Sequence, residues 1–117
     1  MKQNILVVDD HRENLIALEA ILDADGRNLV MAQSGNEALS LALKHDFALV
    51  LLDVQMPEMD GFEVAELMRK NKKTRHIPII FVTAISKEQK YVFKGYECGA
   101  VDYLFKPIDQ KILEAKV

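Results

Sequence analysis

Tryptophan is absent from this chain, and cysteine occurs once, at Cys98. A lone cysteine excludes a disulfide framework and any cysteine-rich zinc site. Glycine and proline are scarce, five and three in 117 residues, and there is no linker, repeat or low-complexity segment. No apolar run approaches the roughly 18 residues of a membrane span, so nothing reads as membrane-inserted. Residues 1–4 lead straight into an apolar run too short for the core of a signal peptide. An excess of positive charge is missing too: 15 basic against 18 acidic residues leaves −3. That argues against direct nucleic-acid or anionic-membrane binding, because both partners want a cationic face. What remains is ordinary globular material, half hydrophobic and 28% charged. At 13.3 kDa it makes one domain. Such a domain buries roughly two thirds of its unfolded surface and needs no disulfide or structural metal. The expected setting is the cytoplasm.

Two hydrophobic periods alternate along the chain. Residues 5–8 form a continuous, β-branched apolar run ending in Asp9 and Asp10, which reads as a strand buried on both faces. Leu15, Leu18, Ile21 and Leu22 then recur at helical spacing, with Gly26 as a stop. Residues 29–32 are a weaker run, suited to a sheet edge. Ser34 and Glu37 form a capping box in which each satisfies the other's free N–H, opening a helix with Ala38, Leu41 and Ala42 on one face. The strongest buried strand is 47–52, stopping at Asp53, and the Pro57 segment after it is a loop. Asp60 and Glu63 cap a third helix with Phe62, Ala65 and Met68 inward. Residues 77–82 make a fourth strand with Pro78 near its start, where a missing donor is tolerated. Ser86 and Gln89 open a fourth helix that Gly99 ends, 101–105 is a short fifth strand, and a last helical stretch starts near Asp109. Strand–helix alternation repeated five times predicts an α/β fold: a parallel sheet with helices on both faces and right-handed crossovers.

In such a sheet, ligands bind beyond the carboxyl ends of the strands. The polar residues that follow the apolar runs are Asp9 and Asp10, Asp53, Thr83 and Lys106. Parallel strands put them on one edge. Carboxylates gathered there repel, by on the order of 4 kcal/mol for unit charges 4 Å apart at an effective dielectric near 20. Lys106 offsets part of that, and a divalent metal more. All-oxygen ligands, few of them from protein, suit Mg²⁺ sharing a phosphate oxygen. Carboxylate, hydroxyl, lysine and Mg²⁺ together suit phosphoryl transfer onto a carboxylate.

Four pieces of sequence now stand in order: Asp9-Asp10, the segment DVQMPEMDG over 53–61, Thr83-Ala84, and GAVDYLFKP over 99–107. Together they resemble the receiver domain of two-component response regulators and hybrid histidine kinases, over nearly the whole chain. The resemblance implies a flavodoxin-like doubly wound sheet with strand order 2-1-3-4-5. It implies that Asp53 accepts a phosphoryl group from a histidine kinase or histidine phosphotransfer domain, in a Mg²⁺-dependent reaction. Asp10 then resembles a direct metal ligand, Asp9 one acting mainly through metal-bound water, and Asp53 and the Gln55 carbonyl further ligands. Thr83 resembles the hydroxyl that contacts the phosphoryl oxygens, with the Ala84 backbone N–H beside it. Lys106 resembles the lysine that pairs with the phosphoryl group, in a Lys106–Pro107 bond of cis form. Tyr103 resembles the switch aromatic that turns inward when Thr83 moves. Gln55 and Ile85 hold the positions that tune self-dephosphorylation. The implied output or dimer surface is the face of the fourth helix, fifth strand and fifth helix.

Plainer readings compete residue by residue. Asp9 and Asp10 alone would serve as a helix N-cap with a favourable charge for the helix dipole. Thr83 could be a strand-end hydroxyl and Tyr103 a half-buried strand aromatic. The basic run 69–75 reads as a solvated helix end. His11 reads as a solvated helix-start residue bordering the acidic pocket, and Cys98 as inert packing. Two other function classes exist: a phosphatase with an aspartyl-phosphate intermediate, and a degenerate receiver that only binds partners. The first lacks an Asp-x-Asp after the first strand, and the second usually lacks an acid or the lysine, all of which are here. The reading is therefore a phosphoacceptor and not a turnover enzyme. Ten residues follow Pro107, and the expectation is a receiver, 1–117, cut inside its last helix from a protein with an output or kinase module.

Overall fold

The computed structural model describes residues 3–22, 27–83 and 102–105; of Gln3, Ile21, Leu22, Arg27, Thr83 and residues 102–105 the backbone alone is described. The element order is β1 (Gln3–Val8), α1 (Arg12–Leu22), β2 (Arg27–Ala32), α2 (Gly35–Lys44), β3 (Leu49–Asp53), α3 (Gly61–Lys70), β4 (Ile79–Thr83) and β5 (Asp102–Phe105). The strands form one sheet in the order β2-β1-β3-β4-β5, all neighbours parallel. The expected 2-1-3-4-5 order and the alternation of strands with helices are both present. The expected fourth helix, the stretch from Asp109, Ala84 and Lys106 lie outside the described residues.

Successive side chains of a strand point to opposite faces, and the core divides accordingly. One cluster takes Leu6, Val8, Val50, Leu52, Ile79 and Phe81 from the sheet, against Ala38 and Ala42 of α2 and Phe62, Ala65 and Met68 of α3. The other takes Ile5, Val7, Leu49, Leu51, Ile80 and Val82, against Leu15 and Leu18 of α1. β3 is buried along its whole length, as a central strand covered on both faces must be.

Boundaries shift for physical reasons. β3 begins at Leu49, not at residue 47: Phe47 still fills the core, but from the loop before the strand. β4 begins at Ile79, two residues beyond buried Ile77, although the Pro78 carbonyl accepts from Val50 N at 3.0 Å. In the α2 cap, Ser34 Oγ accepts from Glu37 N at 3.1 Å as the spacing predicts, but the Glu37 carboxylate accepts from Gln33 N, one residue before the cap. The basic run is not merely solvated. The Arg69 guanidinium donates to the carbonyls of Arg75 and Ile77, at 2.5 and 2.9 Å, and Lys73 Nζ donates to the Leu43 carbonyl. Thr74, buried, donates to the Met68 carbonyl at 2.7 Å. The turn leading into β4 is thus tied down by its own polar groups.

Candidate functional site

Three strands deliver polar residues to the carboxyl edge of the sheet. Val8 pairs with Leu52, so the register carried one residue further sets Asp9 beside Asp53. Asp53 pairs with Val82, and Thr83 is one step beyond. Thr83 pairs with Phe105, the residue before Lys106. Tyr103 pairs with Phe81, two rows back from that edge. Parallel strands of matched register therefore gather Asp9, Asp53 and Thr83 from positions far apart in the chain.

Asp9 is 1% exposed and Asp53 3% exposed. Ionised carboxylates are not buried without compensation, and both make polar interactions. Asp9 Oδ1 accepts the His11 backbone N–H at 2.9 Å, and Asp9 N donates to the Ala32 carbonyl at 3.1 Å, fixing the loop between β1 and α1. Asp10 Oδ1 is buried and receives no hydrogen bond. His11 Nδ1 stands 3.1 Å from that oxygen and 3.4 Å from Asp9 Oδ1. The donor atoms of Asp9, Asp10 and His11 all lie within 4.8 Å of one another, the only such group among the described residues. A buried carboxylate oxygen with no donor, aimed beside a second carboxylate, is what a small divalent cation satisfies. The donor set fits a metal, though Asp53 is not a member of this group. His11, read from the sequence as a solvated helix-start residue bordering the acidic pocket, is 57% exposed and does border it, with its ring turned toward both carboxylates.

The loop after Asp53 is held tightly. Gly61 N donates to the Val54 carbonyl at 2.8 Å, and Asp60 Oδ1 caps α3 by accepting from Glu63 N at 2.9 Å. A Cβ on Gly61 would fall 2.2 Å from the Asp53 carbonyl oxygen and 2.9 Å from Val54 Cα, so only glycine lets α3 start this close to β3. Glu58 takes φ 68°, a left-handed turn within the loop. Gln55 is exposed in the same loop, while Val54 and Met56 on either side are buried.

Among the described residues, no helix is long and apolar enough to cross a membrane. The family model for the response regulator receiver domain matches residues 5–117. The response regulator PleD of Caulobacter vibrioides is 42% identical over 117 residues, covering all of this chain and 26% of PleD. The transcriptional regulatory protein SrrA of Staphylococcus aureus is 38% identical over all of this chain and 47% of SrrA. The chain therefore spans between a quarter and a half of the length of these relatives. The structure of chemotaxis protein CheY4 of Vibrio cholerae superposes with a TM-score of 0.92 at 28% identity, covering 99% of this chain and 96% of that one. Fold, acidic edge and sequence likeness agree, and the chain belongs to the response regulator receiver domains, the phosphoacceptor modules of two-component signalling.

Proposed function

We propose that Asp53 is the phosphoacceptor and that Asp9 and Asp10 hold Mg²⁺ beside it. The observation that carries this is the convergence of buried Asp9 and Asp53 at matched strand ends, next to an Asp10 oxygen that no hydrogen bond satisfies. In the transfer, an Asp53 carboxylate oxygen forms the new O–P bond as the P–N bond of a phosphohistidine breaks, and the imidazole of the donor leaves. Burial fixes the Asp53 carboxylate and keeps competing water from the reacting oxygen. Bound Mg²⁺ supplies charge that offsets the phosphoryl oxygens and the carboxylates around them. Thr83, one register step past Asp53, supplies a hydroxyl that contacts the oxygens of the phosphoryl group on Asp53; Lys106 pairs with that group, the Ala84 N–H donates to it, and the Gln55 carbonyl would complete the metal's oxygen ligands. Tyr103 reports the change through β5. The donor is a histidine kinase or phosphotransfer domain. The effect passes to an output module, or to a partner or second copy docked on the face that includes β5, and the setting is the cytoplasm.

Incubation with acetyl phosphate and Mg²⁺, read by intact mass, should add one phosphoryl group. Asp53→Asn should abolish the addition. Full labelling of that variant at another residue would overturn the assignment, and steady release of phosphate from a small phosphoester would favour a phosphatase instead.

A further inference from the structure

α2 and α3 lie side by side on one face of the sheet, and their seam is close: a Cβ on Gly35 would meet Val64 Cγ2 at 2.9 Å and Met59 Sδ at 3.0 Å. Leu39 and Met59 pack there, partly buried against the core. Leu43 and Leu67 do not reach it and stay 43% and 41% exposed. At 3.6 residues per turn, Leu39 and Leu43 follow Gly35 along the α3 side of α2, and Leu67 follows Val64 along the α2 side of α3. The seam is thus an apolar strip that opens to solvent. Charge is sorted along the same direction. Glu63, Leu67 and Lys70 occupy positions i, i+4 and i+7 of α3, one stripe on its exposed face. Along the axis Glu63 stands about 6 Å before Leu67 and Lys70 about 4.5 Å after it. Lys44, Lys72 and Lys73 add exposed positive charge at the Lys70 end. Among the described residues, neither Glu63 nor Lys70 has an ion-pair partner. An acid in the first turn and a base in the last suit the helix dipole, but that leaves the exposed leucine between them without a purpose.

We propose that the α2–α3 face docks a second copy of this chain, antiparallel, about a two-fold axis through Leu67. A two-fold contact is self-complementary, so what one copy offers the other must accept. An axis perpendicular to α3 at Leu67 reverses the stripe. Leu67 then meets the partner's Leu67, Glu63 meets the partner's Lys70, and Lys70 meets the partner's Glu63. A parallel arrangement sets the lysine-rich ends of α2 and α3 against each other and is opposed by their repulsion. The face is small. Its two helices have ten residues each, so they are about 15 Å long and stand roughly 8–10 Å apart. That falls short of the roughly 800 Å² per partner of a stable interface, and the dimer is accordingly a weak one that forms at high concentration. Neither β5 nor Asp53 takes part, and α1 packs on the other face of the sheet.

The test is sedimentation velocity of the chain at concentrations up to about 1 mM, which reaches weak self-association. The wild type should show a monomer–dimer equilibrium that added salt shifts toward monomer. Leu67→Gln, a helix former at an exposed position, keeps α3 and should be monomeric throughout. Glu63→Lys and Lys70→Glu should each weaken the dimer by about tenfold, since each replaces two attractive contacts with two repulsive ones. An equimolar mixture of these two variants should regain wild-type affinity to within about twofold, because each altered stripe then faces its complement. Loss of fold in either variant cannot produce that recovery. A wild type that stays monomeric over the whole range overturns the proposal. So does a dimer that Leu67→Gln leaves intact, which puts the contact on another face. If both charge variants weaken the dimer and their mixture stays weak, the antiparallel pairing is refuted and the proposal with it.

Discussion

Asp10 stands beside a second carboxylate, with the His11 ring next to both. Its side chain is 21% exposed, its Oδ1 is buried without a hydrogen bond, and the Asp9 carboxylate lies alongside. Two unit charges 4 Å apart repel by about 1 kcal/mol in water and about 4 kcal/mol at an effective dielectric of 20. Partial exposure puts this pair toward the lower figure. Asp10→Asn removes one charge, so without metal the variant should unfold at a higher temperature than the wild type, by stability on the order of 1 kcal/mol. Mg²⁺ should stabilise only the wild type, by about 2.7 kcal/mol at a hundredfold excess over Kd. Thermal unfolding with and without Mg²⁺ measures both effects. A lower midpoint for the metal-free variant would show that Asp10 supports the loop in some other way.

At the scale of elements, the junction of β3 and α3 decides whether Asp53 is well placed. Gly61→Ala drives a methyl group to 2.2 Å from the Asp53 carbonyl oxygen, against backbone that cannot step aside as a side chain would. Overpacking of this kind costs about 1–3 kcal/mol and here also displaces Asp53. Urea unfolding should show the loss of stability, and acetyl phosphate labelling should slow; normal labelling in a destabilised variant would separate the two roles. The elements themselves differ in how plainly their residues announce them. β1 and β3 are legible because both faces are buried and the apolar run is unbroken. β2 pairs on one side only, its Leu29, Val30 and Met31 are partly buried, and its run is correspondingly weak. Phe47 and Ile77 look like strand residues because they are core residues, but they reach the core from loops. Capping residues are local and were readable to within one residue. Ring direction is not local: nothing in the order Asp9, Asp10, His11 says that the imidazole folds back. Arg69 was misread for the same reason, since its partners lie six and eight residues on and are backbone carbonyls.

For the whole molecule, the sheet separates two apolar clusters, and among the described residues the strands are the structure common to both. A phosphoryl group on Asp53 adds negative charge and strong acceptor oxygens at the strand ends. The change should spread along the carboxyl edge from β3 through Thr83 to β5, which pairs with β4. Amide NMR shifts on phosphorylation should therefore be largest at those strand ends and around Tyr103. Shifts confined to α2 and α3 would contradict this route.

Asp53 is 3% exposed, and on the proposed role of this residue that depth would act on the donor as much as on the acceptor. A carboxylate so recessed would work as the bottom of a keyhole. Whatever brings phosphorus must carry it at the tip of a slender stalk or be small enough to enter whole. A phosphoryl group on the end of an imidazole meets the first condition and acetyl phosphate the second. A phosphate held flush on a broad protein surface meets neither. With Asp53 as the acceptor, donors would be screened by shape before any charge or sequence preference comes into play.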